Sequence, residues 1–196
     1  IEFHDVTIEF DTEAEALIYT KIKNNTTKEL KKITDSNLSV REQMVVIFEL
    51  ILRLRQASIH PQIAINSLNS KFHNTLALDN FEGISSKYNQ VLRLVKEKAS
   101  KKQNTIVFCY FKEEMTGLSK LLEKNGIGTR IYNGSMTMKQ KDNVLRDFTH
   151  TRTFMDLQLI NQRLHFLPDT CMDMISDNIP KVLLIQIKCG AVGLNL

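Results

Sequence analysis

The chain has 196 residues, enough for one domain with a sizeable core, or for one domain and part of another. Apolar residues make up 42% and charged residues 24%, while 7 glycines and 3 prolines are too few for a disordered or fibrous chain. The three cysteines are scattered along the chain, which disfavours a zinc site. No apolar run reaches the roughly 18 to 20 residues of a membrane span, which disfavours membrane insertion. The chain does not start with a basic and then apolar leader, which disfavours secretion. Because the first residue is not Met and Leu196 directly follows a predicted strand and turn, we expect the chain to be part of a longer protein.

Positive charge is concentrated in the middle of the chain. Lys and Arg number 26 against 22 Asp and Glu, a net charge of +4. Residues 85–148 carry 13 basic and 6 acidic side chains, a net charge of +7, whereas residues 1–84 carry 9 and 12, a net charge of −3. The asymmetry is typical of a protein with a polyanionic partner, although lysine-rich solvated helix faces would give the same count.

A first helix is predicted near the start of the chain. Asp11 or Thr12 can cap it, and apolar residues on one side carry it to about Lys23. The polar stretch that follows, residues 24–37, has no predicted structure.

A second helix is predicted from a capping box. Ser39 precedes Glu42 by three residues, and an apolar repeat at helical spacing follows. The helix should end near Ser58, because Pro61 disfavours helical angles in the residue before it. Residues 62–84 lack a clear period and are predicted to form a hinge or connecting loop.

From residue 85 onward, helices alternate with short apolar strands. The predicted strands are Thr105–Tyr110, Thr129–Tyr132 and Val182–Ile187. The predicted helices are Ser86–Ala99, Lys112–Asn125 and a segment from the Thr137 and Gln140 capping box to Phe148. Strands that are apolar throughout and alternate with helices predict an α/β domain, with a parallel sheet covered by helices on both faces.

Residues 149–180 break this alternation. They combine apolar residues with an acidic portion flanked by prolines, which predicts an inserted helix plus loop. The insertion either packs on its own domain or offers a surface to a protein partner.

The turns that follow the three strands are the candidate ligand sites, because ligands of an open parallel sheet bind at the carboxyl ends of its strands. Lys112 follows the first strand, and Gly134 and Ser135 follow the second. The Gly-Ser turn suits phosphate oxygens, but an ordinary connection between strand and helix would have the same spacing. The third turn, residues 188–195, has two glycines three apart next to a lysine, and this allows close backbone approach to a nucleotide or phosphate.

Other chemistry has little support in the sequence. There is no GxxxxGK[ST] loop, no HExxH and no GxSxG, and the five histidines have no metal-ligand spacing. We therefore predict no catalytic residue and no metal site in these 196 residues. The histidines are predicted to be structural or exposed, and Cys109 to be a small core residue.

Five segments, in order, resemble the Swi/Snf-type DNA-dependent ATPases, which are superfamily-two motors with two RecA-like lobes. The resemblance covers the connector between the lobes, the start of the second lobe, motif IV, the block after it, and motif V. The segments are LRLRQASIHP (Leu52–Pro61), SSK (Ser85–Lys87), TIVFCYF (Thr105–Phe111), IYNGSMTMKQKDNVLRDF (Ile131–Phe148) and VLLIQIKCGAVGLNL (Val182–Leu196).

The resemblance implies a domain organisation and a set of site residues. Residues 1–84 would be a helical connector, and residues 85–196 an incomplete second RecA-like lobe that stops before motif VI. Two positions, Gly193 and Asn195, would face ATP. The positions that would contact the DNA backbone are Lys112, Gly134, Ser135, Lys139, Lys188 and Gly190. Five positions depart from the family pattern: Asn133 stands for Asp, Lys141 for Arg, Ala191 for Gly, and Ser58 and Ile59 for the common Cys residues of the connector.

The resemblance also implies a function. The parent protein would be an intracellular ATP hydrolase that translocates on double-stranded DNA or remodels protein–DNA complexes. The family's usual setting is the nucleus, and the cytoplasm is the alternative for a viral protein. The parent protein's ATP and Mg²⁺ would be bound mainly by a first RecA-like lobe of the same chain, so these residues alone would be inactive. Two alternatives are a degenerate lobe that binds DNA or a partner without hydrolysis, and an unrelated domain that binds a phosphorylated small molecule.

Overall fold

The computed structural model describes residues 2–71, 78–148 and 182–190. The chain divides into two compact units, residues 1–91, called here the helical unit, and residues 92–196, called the sheet unit. The predicted insertion at 149–180 and the predicted ATP-facing residues Gly193 and Asn195 lie outside the described residues. The predicted domain boundary between residues 84 and 85 stays a prediction.

Helix α1 spans Glu13–Thr34 and is longer than the sequence analysis predicted. Thr12 is the N-cap, and its side chain accepts a hydrogen bond from the backbone N–H of Glu15 at 3.3 Å. The predicted end near Lys23 is wrong, because buried positions continue at helical spacing through the polar stretch. These positions are Ile18, Ile22, Thr26 and Ile33.

Helix α2 spans Val40–Ile59 and confirms the predicted capping box. The Ser39 hydroxyl accepts from the N–H of Glu42 at 3.4 Å, while the Glu42 carboxylate accepts from the N–H of Ser39 at 3.0 Å. The helix ends as predicted, because His60 is extended, with φ of −158°.

Helix α3 spans Pro61–Lys71, where the sequence analysis expected a hinge or loop over 62–84. That prediction is wrong for the first part of the range. Proline is well tolerated at the first position of a helix, so Pro61 ends α2 and begins α3. Apolar residues at 61, 64, 65 and 68 also have the spacing of one helix face, and Ala64 and Ile65 are buried.

The core of the helical unit joins α1, α2, α3 and the segment that follows α3. Its buried members are Ile18, Ile22, Ala57, Ala64, Ile65, Leu78 and Phe81. The apolar repeat of α2 only partly faces this core: Leu54 packs against it, whereas Met44 and Phe48 are 53% and 66% exposed.

Among the described residues of the helical unit, two charged side chains are buried, and both are held by hydrogen bonds. The Arg53 guanidinium donates to Glu49 at 3.0 Å, to Gln56 at 2.9 Å and to Ser67. The Glu15 carboxylate, 1% exposed, accepts from the backbone N–H of Ser86 at 3.0 Å and from its hydroxyl at 2.5 Å.

In the part of the sheet unit that the structure describes, three parallel strands form the sheet, as predicted. The two units divide within helix α4 (Ser86–Ser100). The elements that follow α4 are, in chain order, β1 (Thr105–Cys109), α5 (Lys112–Lys124), β2 (Thr129–Tyr132), α6 (residues 138–148), β3 (Val182–Gln186) and the single turn α7 (Ile187–Gly190). The strand order is β1-β3-β2, with Cys109 opposite Gln186 and Tyr132 opposite Ile185.

The central strand β3 is buried on both of its sides, since residues 182–185 have no exposed surface. Leu183 and Ile185 pack with Tyr132 of β2 and with Phe148 of α6. Helix α5 buries the predicted positions Met115, Leu118, Leu121 and Leu122 and ends before Gly126, which has φ of +72°. The observed fold is therefore the predicted α/β class with a RecA-like parallel sheet. Within the described ranges, no helix is long and apolar enough to cross a membrane.

Candidate nucleic-acid interface

The carboxyl ends of the three strands meet at one edge of the sheet, because all three are parallel. The turns after β1, β2 and β3 contain Lys112, the pair Gly134 and Ser135, and Lys188. The fold thus brings these predicted DNA-binding residues to the same edge, and Gly190 lies on the same side at the end of α7.

The turn after β1 is fixed by a carboxylate. Glu114 accepts hydrogen bonds from the backbone N–H groups of Tyr110 at 2.8 Å and Phe111 at 3.1 Å. These contacts position the start of α5, where Lys112 is the first helical residue and is exposed. The Glu114 carboxylate is engaged with backbone N–H groups, while the Lys112 ammonium extends into solvent.

The turn after β2 has its backbone donors occupied from inside the protein. The Asn133 side-chain oxygen accepts from the N–H of Ser135 at 3.0 Å and from its hydroxyl at 2.7 Å. The N–H of Gly134 donates to Oε1 of Gln186, the last residue of β3, at 3.2 Å. The Gly134 N–H thus serves to hold the turn, and the exposed Ser135 hydroxyl, which can rotate away from Asn133, is the group of this turn that a phosphate can reach.

The turn after β3 contacts both neighbouring turns. The Lys188 ammonium lies 5.6 Å from the centroid of the Tyr110 ring, within the range of a cation–π interaction. The Cys189 thiol lies so close to Gly134 that a Cβ added there would be 2.9 Å from Sγ. Gly134 is therefore required for space, since its φ is not positive.

Helix α6 adds two further lysines. Thr137 and Gln140 form the predicted reciprocal capping box, with distances of 2.9 and 3.3 Å. Lys139, in the first turn of α6, is exposed, and Lys141 lies 5.5 Å from the ring centroid of Tyr132. The strand-end region therefore displays ammonium groups on three of its elements.

The prediction that Cys109 is a core residue is confirmed. It has no exposed surface, and burial, together with the nearby Glu114 carboxylate, raises its pKa to about 12. Such a thiol is protonated at neutral pH and does not act as a nucleophile.

The sequence analysis missed two residues that the structure places at this edge. Gln186 connects the turns after β2 and β3, and Tyr110 supports Lys188. A signal for Gln186 was present, because a polar residue at the end of an otherwise apolar strand is expected to have a polar contact there. The sequence contained no comparable signal for Tyr110, since an aromatic residue is common in any buried strand.

Comparison with known proteins places this geometry in a class. Residues 86–159 match the family described as Helicase conserved C-terminal domain. The chain is 25% identical, over all of its 196 residues, to the "Probable global transactivator" of Orgyia pseudotsugata multicapsid polyhedrosis virus, and it spans 34% of that protein's length.

Solved structures agree on the fold. The Sulfolobus solfataricus SWI2/SNF2 ATPase C-terminal domain has a TM-score of 0.60 at 15% identity, covering 94% of this chain and 63% of that one. The C-terminal part of the Fun30 ATPase domain has a TM-score of 0.62 at 16% identity, and the match covers 98% of this chain and 71% of that one. The Sulfolobus solfataricus SWI2/SNF2 ATPase core in complex with dsDNA has a TM-score of 0.57 at 14% identity, and the match covers 93% of this chain and 30% of that one.

The α/β part of this chain is therefore similar to a helicase C-terminal domain over residues 86–159. Its fold is that of the C-terminal lobe of SWI2/SNF2 ATPases, and the resemblance recognised in the sequence is confirmed.

Proposed function

We propose that this chain is the DNA-tracking part of a larger ATP-driven motor that moves on double-stranded DNA. The observation that carries the proposal is the meeting of Lys112, the Gly134 turn and Lys188 at one edge of the sheet. The similarity to an ATPase core in complex with double-stranded DNA supports the choice of duplex DNA as the ligand.

The groups at this edge suit recognition of a phosphate backbone. Ammonium groups and backbone N–H groups bind phosphate oxygens without distinguishing between bases. Binding would then be largely independent of sequence and would weaken steeply with salt, because each neutralised phosphate releases a counterion. A motor that moves along DNA needs contacts of this kind, since they recur at every nucleotide.

ATP hydrolysis belongs to the whole protein in this proposal. Gly193 and Asn195 are proposed to face the nucleotide, while a first RecA-like lobe of the same protein binds most of ATP and Mg²⁺. Closure of the two lobes around ATP would complete the catalytic site, so the 196 residues alone are expected to be inactive. The viral relative's name, a probable global transactivator, supports a role in transcription and a nuclear location.

The experiment that tests the proposal uses the full-length protein. ATP hydrolysis is measured with and without duplex DNA, and DNA affinity is measured across a range of salt concentrations. The test variant is Lys188→Ala, and the matched control is Lys124→Ala. Both lysines are exposed, but Lys124 lies in the last turn of α5, which leads to the amino end of β2 at the opposite edge of the sheet.

We expect DNA to stimulate hydrolysis in the wild-type protein. Lys188→Ala should weaken DNA binding. If one phosphate contact is lost, the negative slope of the logarithm of the binding constant against log[salt] should become shallower by about 0.9. Lys124→Ala should leave both unchanged. Equal effects of the two variants would show that only the overall positive charge matters and would contradict a specific strand-end interface.

A further inference from the structure

We infer that Gln186 is a positioning residue that holds the turn after β2 in place for DNA binding. The inference rests on the proposed function, because it assigns a role to Gln186 in the same interface. It starts from one contact, the hydrogen bond from the Gly134 N–H to Gln186 Oε1 at 3.2 Å.

The position of Gln186 explains why one side chain can control this turn. It is the last residue of the central strand β3, whose preceding four residues are fully buried and therefore rigidly placed. Its side chain is half-buried and reaches sideways to the turn after β2. A residue anchored in a rigid strand can fix a turn that otherwise has only its own local contacts.

The same side-chain oxygen also reaches the following turn. The Cys189 thiol lies 3.6 Å from Gln186 Oε1, and the same thiol is close to Gly134. Gln186, Gly134 and Cys189 thus form one contact cluster between the two turns. The groups proposed to bind DNA follow directly on each side, Ser135 in one turn and Lys188 in the other.

Spacing is the reason that this cluster matters for binding. Phosphates of one DNA strand are separated by a fixed distance, so two turns that contact the same backbone must keep a fixed distance from each other. When Gln186 holds Gly134, the two turns are already arranged before DNA arrives, and less ordering entropy is lost on binding. Without the acceptor, the same groups are present, but the turn must be ordered by the DNA.

The test compares two substitutions in the full-length protein. Gln186→Met keeps nearly the same shape but has no oxygen to accept the Gly134 N–H. Gln186→Glu keeps the acceptor and adds a negative charge. Neither removes a cation, so the effects of positioning and charge can be separated.

We expect Gln186→Met to weaken DNA binding by roughly three- to tenfold, the range expected for one lost hydrogen bond. The loss should be the same at every salt concentration, because the number of neutralised phosphates does not change. Hydrogen-exchange mass spectrometry should show faster exchange in the peptide that contains residues 133–136. A loss of overall fold would instead lower the melting temperature and speed exchange across the protein.

Gln186→Glu should behave differently in both measurements. Its carboxylate still accepts the Gly134 N–H, so exchange in residues 133–136 should stay as slow as in the wild type. At low salt its affinity for DNA should be lower than that of the wild type, and this difference should shrink as salt rises, because the added charge is screened. This variant keeps the test valid if the methionine protein is unstable.

Wild-type affinity and exchange in the Gln186→Met protein would overturn the inference. So would a Gln186→Glu protein with fast exchange at residues 133–136, since the acceptor would then not hold the turn. If the wild-type protein does not bind duplex DNA, the proposed function fails, and the exchange comparison still decides whether Gln186 holds Gly134.

Discussion

The helical unit and the sheet unit use charged residues in opposite ways. Among the described residues, the buried charged side chains, Glu15 and Arg53, both belong to the helical unit, where hydrogen bonds hold each of them. In the sheet unit, Lys112 and Lys188 are exposed at the ends of strands that are otherwise apolar.

The physical reason lies in the cost of burying charge. A buried charge needs partners that satisfy it, so its removal leaves those partners unpaired and destabilises the fold. An exposed lysine contributes little to stability and remains available to a ligand. Changes to charged residues in the helical unit should therefore alter folding, whereas changes at the strand ends should alter binding.

The largest expected effect concerns Cys109, and it would sharpen the contrast between the interior and the edge of the sheet unit. Its pKa of about 12 compares with an ordinary value of 9.0, so at pH 8 its thiolate fraction is lower by roughly a thousandfold. We expect iodoacetamide to modify Cys109 at least that much more slowly in the folded protein than in urea, as measured by peptide mass spectrometry. The half-buried Cys189 is the internal comparison. Rapid labelling of Cys109 in the folded protein would mean that β1 is open to solvent.

The next largest effect is expected for Arg53→Met. Removal of the guanidinium takes away the hydrogen bonds that Arg53 donates to Glu49, Gln56 and Ser67, and we expect a loss of about 3 kcal/mol in the free energy of unfolding. Urea denaturation measures this loss. Arg53→Lys should recover only part of it, because a single ammonium cannot reproduce the geometry of a planar guanidinium.

Lys124→Met is the control for Arg53→Met. Lys124 is exposed, so the same substitution should leave the urea midpoint nearly unchanged. If Arg53→Met were equally harmless, the contrast between the two units would fail, because the buried arginine would then be replaceable by an apolar side chain.

A smaller effect is expected for Gly134→Ala. The new methyl group would be 2.9 Å from Cys189 Sγ, and overpacking of this kind costs roughly 1 kcal/mol, about a fivefold loss of DNA affinity if the turn moves. The double variant with Cys189→Ala removes the sulfur and should restore most of the affinity. A double variant as weak as Gly134→Ala would exclude the thiol as the cause.

Gly126→Ala is the matched control for Gly134→Ala. Nothing lies within 4 Å of a Cβ at this position, but its φ of +72° disfavours alanine. We therefore expect lower stability with unchanged DNA affinity for the folded protein. The two glycines would thus separate a requirement for space from a requirement for backbone conformation.

The smallest expected effect is the pH dependence of His60. Burial lowers its pKa below the ordinary value of 6.5, although a hydrogen bond with the Gly83 backbone opposes the shift. As pH falls below about 6.5, the unfolded chain takes up a proton at this position before the folded chain does, so the folded state loses stability. We expect thermal melts between pH 7.5 and pH 5.5 to show a smaller loss for His60→Gln than for the wild type. An identical pH profile for the two proteins would mean that His60 is not the titrating group.

The sequence predicted regular elements best where local signals coincided. Ser39 and Glu42 combined a capping box with an apolar repeat, Thr137 and Gln140 formed a second capping box, and both helices began there. The strand boundaries were nearly right, because an uninterrupted apolar run that ends in a turn has few other solutions in an α/β protein.

The errors came from segments in which burial overruled local composition. Residues 24–34 look polar, yet Thr26 and Ile33 are buried and α1 continues through them. Residues 62–71 contain several Asn and Ser residues, but the apolar positions around Ala64 and Ile65 pack on the core of the helical unit. Packing against the other helices of the helical unit stabilises both segments as helices, and this cannot be read from a short window of sequence.

By itself, the sequence determined the fold class, the order of the strands and helices from residue 85 onward, and the turns that contain the candidate phosphate-binding residues. These depend on periodicity, caps and glycines, which are local properties of the chain. Only the tertiary structure decided that Gln186 reaches Gly134, that Tyr110 supports Lys188, and that Cys189 requires a glycine opposite it. These contacts depend on the strand order β1-β3-β2, which brings together residues more than 50 positions apart in the chain.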